Sequence, residues 1–165
     1  KGGGALFDIG CYPIVAGRFL FDAEPVRVMA LADMDPDFGV DRTFSALLDF
    51  GGGRHLDFTV STQSTPYQRV HVIGTQQRVE LEIPFNAPQG ETTRIFIDNG
   101  KMLGNGGAAE ETIAACDQYS LEGDAFSLAI RGETPLHYGV EDAIQNMRII
   151  DALFTSQRSG RWESV

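Results

Sequence analysis

Asp8 and Tyr12 stand four residues apart in the stretch Gly2-Gly3-Gly4-Ala5-Leu6-Phe7-Asp8-Ile9-Gly10-Cys11-Tyr12. On a helix this spacing sets a carboxylate and a phenol side by side on one face. The carboxylate accepts hydrogen bonds from hydroxyls, and the phenol both donates and accepts, so the pair suits a polyol. Gly2, Gly3 and Gly4 allow close backbone approach at the helix start. Gly10, between the two polar residues, predicts a bare patch on which a ligand could lie. The same spacing equally describes an ordinary surface pair, worth under about 1 kcal/mol to the fold.

Other motifs carry less. Gly104-Asn105-Gly106-Gly107-Ala108-Ala109 fits G-x-G-x-x-A, and Glu122 lies about where a ribose-binding acid falls in a dinucleotide fold. That fingerprint must join a buried first strand to a helix within a βαβ unit. Here it sits deep in the chain, after consecutive strands, and before Glu110 and Glu111, which repel a pyrophosphate. No cofactor-binding residue is assigned on it. His55, His71 and His137 lack ligand spacing. Asp33, Asp35 and Asp37 alternate as in a calcium loop, without the Gly and distant Glu that such a loop needs. They read as a solvated acidic turn, and no metal ligand is assigned. No G-x-S-x-G is present.

Charge narrows the partners. The 165 residues carry a formal net charge of −10. Nucleic-acid binding is excluded on this reading, because phosphate contacts need clustered Lys and Arg. An anionic cofactor would not be held unaided. The best apolar run, 6–21, is broken by Asp8 and Arg18, so no membrane span is expected. Cys11 and Cys116 lie far apart in apolar surroundings and read as buried free thiols of a reducing, cytoplasmic compartment. The chain opens on Lys1-Gly2-Gly3-Gly4 and runs straight into structured sequence, which reads as a piece of a longer protein.

The elements that must hold Asp8 and Tyr12 follow from periodicity. Residues 6–21 predict a helix with Phe7, Cys11, Ile14 or Val15, and Phe19 on its apolar face, kinked at Pro13. Strands are expected at 26–32, 43–50, 54–62, 69–73, 78–83 and 93–97, with Asn99-Gly100 as a hairpin turn. Residues 99–109 read as a loop and 112–116 as a short strand. Two helices follow, 121–131 and 140–157, the second with Val140, Ile144 or Ala143, Met147, Ile150 or Asp151, and Phe154 on its face. Consecutive strands with short connections imply an antiparallel sheet. Its second face carries His55, Asp57, Thr59 and Ser61, and also Arg78, Glu80 and Glu82. This face is either solvated or an interface with a second copy of the chain.

The run from Gly2 to Tyr12 resembles the opening of the C-terminal domain in the glucose–fructose oxidoreductase/inositol dehydrogenase/MocA (Gfo/Idh/MocA) family. The similarity continues in Val72-Ile73-Gly74-Thr75, in Asp117-Gln118-Tyr119 with Phe126, and in Asn146-Met147-Arg148-Ile149-Ile150-Asp151-Ala152-Leu153 with Ser156 and Gly160. The resemblance implies one α+β domain over 1–165, with an open, mostly antiparallel sheet and helices packed on one face, like the C-terminal domain of glyceraldehyde-3-phosphate dehydrogenase. It implies the substrate half of an NAD- or NADP-dependent dehydrogenase acting on a sugar, polyol or dihydrodiol. Asp8 then matches the family's substrate-site aspartate and Tyr12 its proton-relaying neighbour, as in the sugar and dihydrodiol dehydrogenase branch. Tyr119 matches an aromatic that reaches the same pocket. The family's Rossmann domain and its catalytic lysine are absent from these residues, so the chain alone is expected to be inactive and to hold no cofactor. Its expected partners are its own Rossmann domain, a sugar-like substrate and a second copy through the open sheet. A non-catalytic polyol-binding domain and an unrelated scaffold remain as alternatives.

Overall fold

Alternating apolar residues and a glycine-faced helix meet to form the core. In a computed structural model, residues 3–104 and 107–165 are described. They fall into two units, one of residues up to Thr65 together with His137–Val165, the other Pro66–Leu136.

The first unit opens with a π-helical turn, Leu6–Gly10, that runs on into α1, Cys11–Phe21. Pro13, where a kink is expected, stands in the first turn of α1, close after this π turn. Proline has no N–H for the Ile9 carbonyl and its ring crowds that oxygen, so the wider winding lies just upstream. Strands β1 (Arg27–Met34), β2 (Asp41–Asp49) and β3 (His55–Ser61) then form an antiparallel meander. Phe44, Ala46, Leu48 and Phe50 share the buried side of this sheet, opposite Leu56, Phe58 and Val60.

The second unit is another antiparallel meander: β4 (Val70–Ile73), β5 (Arg78–Leu81), β6 (Thr93–Asp98) and β7 (Ala108–Ile113), followed by α2 (Gln118–Ile130). The strand placed at 112–116 thus begins earlier, inside the segment read as loop. Ala108 pairs with Asp98 and draws it into the ladder. One face of this sheet carries ion pairs: Arg69 with Glu80 at 3.1 Å, Arg78 with Asp98 at 2.9 Å, and Arg94 with Glu82.

The chain returns to the first unit with α3, Val140–Ser159, capped by Gly160 in the left-handed region at φ 66°. A short strand, β8 (Glu163–Ser164), pairs with β1 and was not foreseen. It covers only Arg27 and Val28. Beyond it, the Ser156 hydroxyl accepts the Ala30 N–H at 3.1 Å and donates to the Arg161 carbonyl at 2.6 Å, satisfying the open strand edge. Among the described residues the strands therefore form two four-stranded antiparallel sheets, ordered β3-β2-β1-β8 and β4-β5-β6-β7. Helices lie on one face of the first.

Both helical faces differ from the periodicity reading. α1 and its π turn bury Leu6, Gly10, Ile14 and Gly17, whereas Phe7 and Phe19 are 43% and 67% exposed. A Cβ on Gly17 would crowd Leu56 and Phe50, and one on Gly10 would meet Leu6 and Phe58. The helix thus lies close on the sheet through its small residues. α3 buries Asn146, Ile149, Ile150, Leu153 and Ser156, and leaves Val140, Ile144 and Met147 exposed. Cys116 is exposed and Cys11 half-buried, so the reading of two buried thiols is corrected. Cys116 lies in the connection between β7 and α2. Among the described residues no helix is long and apolar enough to cross a membrane.

Candidate functional site

Asp8 and Tyr12 are presented by the helix start, and the start is fixed by a buried carboxylate. Gly3 and Gly4 take φ of 108° and 101°, turning the chain into the π turn. The backbone there approaches Asp41 so closely that any Cβ on Gly4 would collide with its carboxylate. Asp41, at the head of β2 and 1% exposed, accepts the Leu6 N–H at 2.6 Å. A helix start leaves its first N–H groups without partners and favours negative charge, and Asp41 answers both. Asp8 N–H then donates to the Gly4 carbonyl at 3.1 Å. The close approach that the glycine run predicts is real, and what approaches is Asp41.

Asp8 and Tyr12 both lie on the exposed side of this segment, Tyr12 45% exposed. Gly10 does not leave a bare patch between them. It faces inward, against Leu6 and Phe58. A helix turns too sharply for residue 10 to share a face with 8 and 12. Cys11 is half-buried beside them, and its thiol points to the Asp8 carbonyl at 3.8 Å. Burial pushes that thiol up in pKa, and the Asp8 carboxylate adds to the effect.

Two side chains tie this helix to α3. Asn146, 7% exposed, donates from Nδ2 to the Cys11 carbonyl at 3.4 Å, and its buried Oδ1 has no hydrogen-bond partner. Further along, the Arg18 guanidinium binds both oxygens of Glu24 at 2.8 Å and Asp142 at 2.9 Å. Glu24 chiefly, with Asp142, holds its pKa above the ordinary arginine value. These ion pairs line a cleft of about 540 Å³ with Val15, Phe19, Asp22 and Tyr138, at the far end of α1 from Asp8.

Tyr119 belongs to the other unit. It sits in the first turn of α2, 61% exposed. Asp117 caps that helix, accepting from the Tyr119 and Ser120 N–H groups and from the Ser120 hydroxyl at 2.8 Å. The Ser120 hydroxyl above all keeps the Asp117 carboxyl below its usual range. The structure brings Asp8 and Tyr12 together on one helix face and describes Tyr119 within a separate unit.

In the glycine-rich segment, Asn105 and Gly106 lie outside the described residues, and Ala108 and Ala109 are strand residues of β7. The segment leads into a strand, where a dinucleotide fingerprint opens a helix. Asp35 makes a turn, accepting the Asp37 and Phe38 N–H groups at 2.9 Å, and Asp33 pairs with Arg42. Among the described residues no group of three or more His, Cys, Asp or Glu could hold a metal ion.

The residues that sequence reasoning missed are Asp41 and Asn146. Asp41 gave no signal, because its partner is a backbone N–H thirty-five positions away in sequence. Asn146 did carry one. It is the polar member of the stripe Asn146, Ile149, Ile150, Leu153, Ser156 at helical spacing.

Residues 1–80 match the family model described as the GFO/IDH/MocA C-terminal domain. An oxidoreductase of Rhizobium meliloti is 43% identical over 164 residues, 99% of this chain and 49% of that protein. A D-xylose 1-dehydrogenase (NADP(+)) of Haloferax volcanii is 33% identical over 162 residues, 96% of this chain and 47% of that enzyme. The crystal structure of a 3-ketoreductase from Actinomadura kijaniata, in complex with TDP-benzene and NADP, superposes with a TM-score of 0.83 at 25% identity. That match covers 94% of this chain and 48% of the ketoreductase. The chain thus spans about half the length of the curated relatives it matches. Two open antiparallel sheets with helices, a glycine run entering a helix that bears Asp8 and Tyr12, and these likenesses agree: the chain belongs to the Gfo/Idh/MocA family of oxidoreductases, in the part that forms its C-terminal domain.

Proposed function

We propose that this chain is the substrate-binding and self-associating domain of an NAD(P)-dependent dehydrogenase acting on a sugar, polyol or dihydrodiol. The observation that carries the reading is the exposed Asp8 and Tyr12, held on one helix face by the buried Asp41 contact. The D-xylose dehydrogenase named above supports the substrate class and the redox chemistry.

The residues of this chain do not suit a nicotinamide dinucleotide. The one glycine-rich candidate leads into an antiparallel strand, and the chain carries a net charge of −10. The cofactor is therefore assigned to a Rossmann domain outside this chain. There it would supply the acceptor or donor of hydride. The work left to Asp8 and Tyr12 is on the substrate's oxygens. Tyr12, donor and acceptor at once, would take up the proton of the reacting hydroxyl and release its own to solvent, the hydride of the alcohol carbon going to the cofactor. Asp8 accepts hydrogen bonds from substrate hydroxyls and orients a lysine ammonium from the cofactor domain. Tyr119, on the second unit, is proposed as a further aromatic contact for the substrate. Self-association is assigned to the helix-free face of the first sheet, where Leu31 and Leu47 stand 75% and 39% exposed among Ser45, Asp57 and Thr59.

The test is steady-state kinetics on the intact enzyme, with NADP and a panel of D-xylose, D-glucose and a trans-dihydrodiol. Tyr12→Phe should lower turnover by roughly 10²–10⁴, as for a lost acid–base group, with little change in affinity for NADP. Asp8→Asn keeps the shape and removes the charge, so both turnover and substrate affinity should fall. Near-wild-type turnover for Tyr12→Phe would reduce Tyr12 to a surface residue and leave a non-catalytic polyol-binding domain as the better reading.

A further inference from the structure

We infer that Asn146 is a positioning residue for Tyr12, acting through the backbone of the helix turn that carries it. The inference rests on the role proposed above for Tyr12. Three observations converge on Asn146. It is buried at 7% exposure in a stripe that is otherwise apolar apart from Ser156. It crosses from α3 to the Cys11 carbonyl, the backbone group immediately before Tyr12, at 3.4 Å. Its Oδ1 is buried without a partner.

An orphaned acceptor in a core is costly, while an apolar side chain of the same size would be neutral or better. The bond from Asn146 to Cys11 is therefore kept at the cost of one unpaired buried oxygen. The Cys11 carbonyl does not need it, since the helical ladder of α1 already offers the Val15 N–H. The extra donor does something else. The π turn before Cys11 and Pro13 after it both weaken the regular ladder at this point, so the turn's position along the axis is loosely specified by the helix alone. A bond from α3 specifies it. α3 is itself held to the sheet by Ile149, Ile150 and Leu153, all buried, and by Ser156 on the edge of β1. Asn146 thus refers the phenol of Tyr12 to the most firmly packed part of the unit. Displacement of a catalytic group by about 1 Å can cost roughly 10² in rate, which is the scale of effect this bond can control.

The experiment is a double-mutant cycle in the intact enzyme, with NADP and whichever of D-xylose, D-glucose or the trans-dihydrodiol it oxidises fastest. Asn146→Leu removes the bond and the orphaned oxygen together. The expected result is a fall in kcat of roughly 10-fold to 10²-fold, little change in KM, and a Tm equal to or above that of the parent. In a Tyr12→Phe background the same substitution should change kcat less than twofold, because the group it positions is gone. Should Asn146→Leu not fold, Asn146→Ala in the same cycle carries the comparison, read per folded molecule. A lowered Tm with kcat unchanged overturns the inference and makes Asn146 a packing residue. Equal losses of kcat with and without the Tyr12 hydroxyl overturn it too. If Tyr12→Phe alone leaves kcat intact, the catalytic reading of Tyr12 has failed and this inference falls with it, whatever Asn146→Leu does.

Discussion

Gly4 and Asp41 form a single device, and substituting both should show it. Gly4→Ala carries two separate penalties. Its φ of 101° is outside the range that side chains favour, which costs roughly 1–2 kcal/mol. Its new methyl also collides with the Asp41 carboxylate. That carboxylate is 1% exposed and can retreat only by releasing the Leu6 N–H, itself fully buried. An orphaned buried donor costs roughly 1–3 kcal/mol, so Gly4→Ala should cost roughly 2–5 kcal/mol. Asp41→Ala strands the same N–H and removes a negative charge from the helix start, for roughly 1–4 kcal/mol. In the double variant the carboxylate is gone and the N–H is already stranded, so Gly4→Ala adds only its backbone penalty. The double should therefore be more stable than the sum of the singles by roughly 1–3 kcal/mol. Urea unfolding followed by the fluorescence of Trp162, the chain's one tryptophan, stacked under Arg27 at 4.6 Å, reads the unit directly. Additivity within about 0.5 kcal/mol would refute the reasoning and make the two contacts independent.

Three further outcomes are expected. Thr59→Arg places a long cation on the helix-free sheet face, where the Thr59 hydroxyl now meets Ser45 at 2.9 Å, and should convert a self-associated chain to an 18.0 kDa monomer by light scattering. A dimer that survives the substitution would put the interface elsewhere. Titration calorimetry of the chain with NADP should show no micromolar binding, and such binding would return the cofactor to this domain. Acid should destabilise the fold. The carboxyls of Asp49, Asp35, Glu82 and Asp117 are held below their usual range, chiefly by the Gly51 N–H, the Phe38 N–H, Arg94 and the Ser120 hydroxyl respectively. Their folded pKa values lie below the unfolded ones, so their contribution is complete above the unfolded range near pH ~4 and is lost as pH falls from there through the lower folded values. A urea midpoint unchanged between pH 5 and pH 3 would contradict this.

Much of the strand pattern was legible because a half-buried strand writes itself as period-two alternation. Phe44, Ala46, Leu48 and Phe50 needed no tertiary knowledge. The helix at 6–21 and the glycine cap at Gly160 were likewise local facts of periodicity and backbone freedom. The pairing of Asp8 with Tyr12 on one exposed face also followed from spacing alone. The inward faces of the helices did not. A helix with apolar residues all round, as α1 has, offers several faces to a sheet, and the face of Leu6, Gly10, Ile14 and Gly17 was chosen because its two glycines admit so close an approach. Division of the strands between two sheets was equally hidden, since periodicity says which residues alternate and nothing about which strand ends a sheet. Asp41 and Asn146 mark the limit most clearly. Each acts on a backbone group 35 or 135 positions away, and a hydrogen bond between distant segments leaves no period in the sequence. The candidate pair Asp8 and Tyr12 was thus picked out by type and spacing, while Asp41 and Asn146 became visible only where the folded chain brought distant backbone and buried side chains into contact.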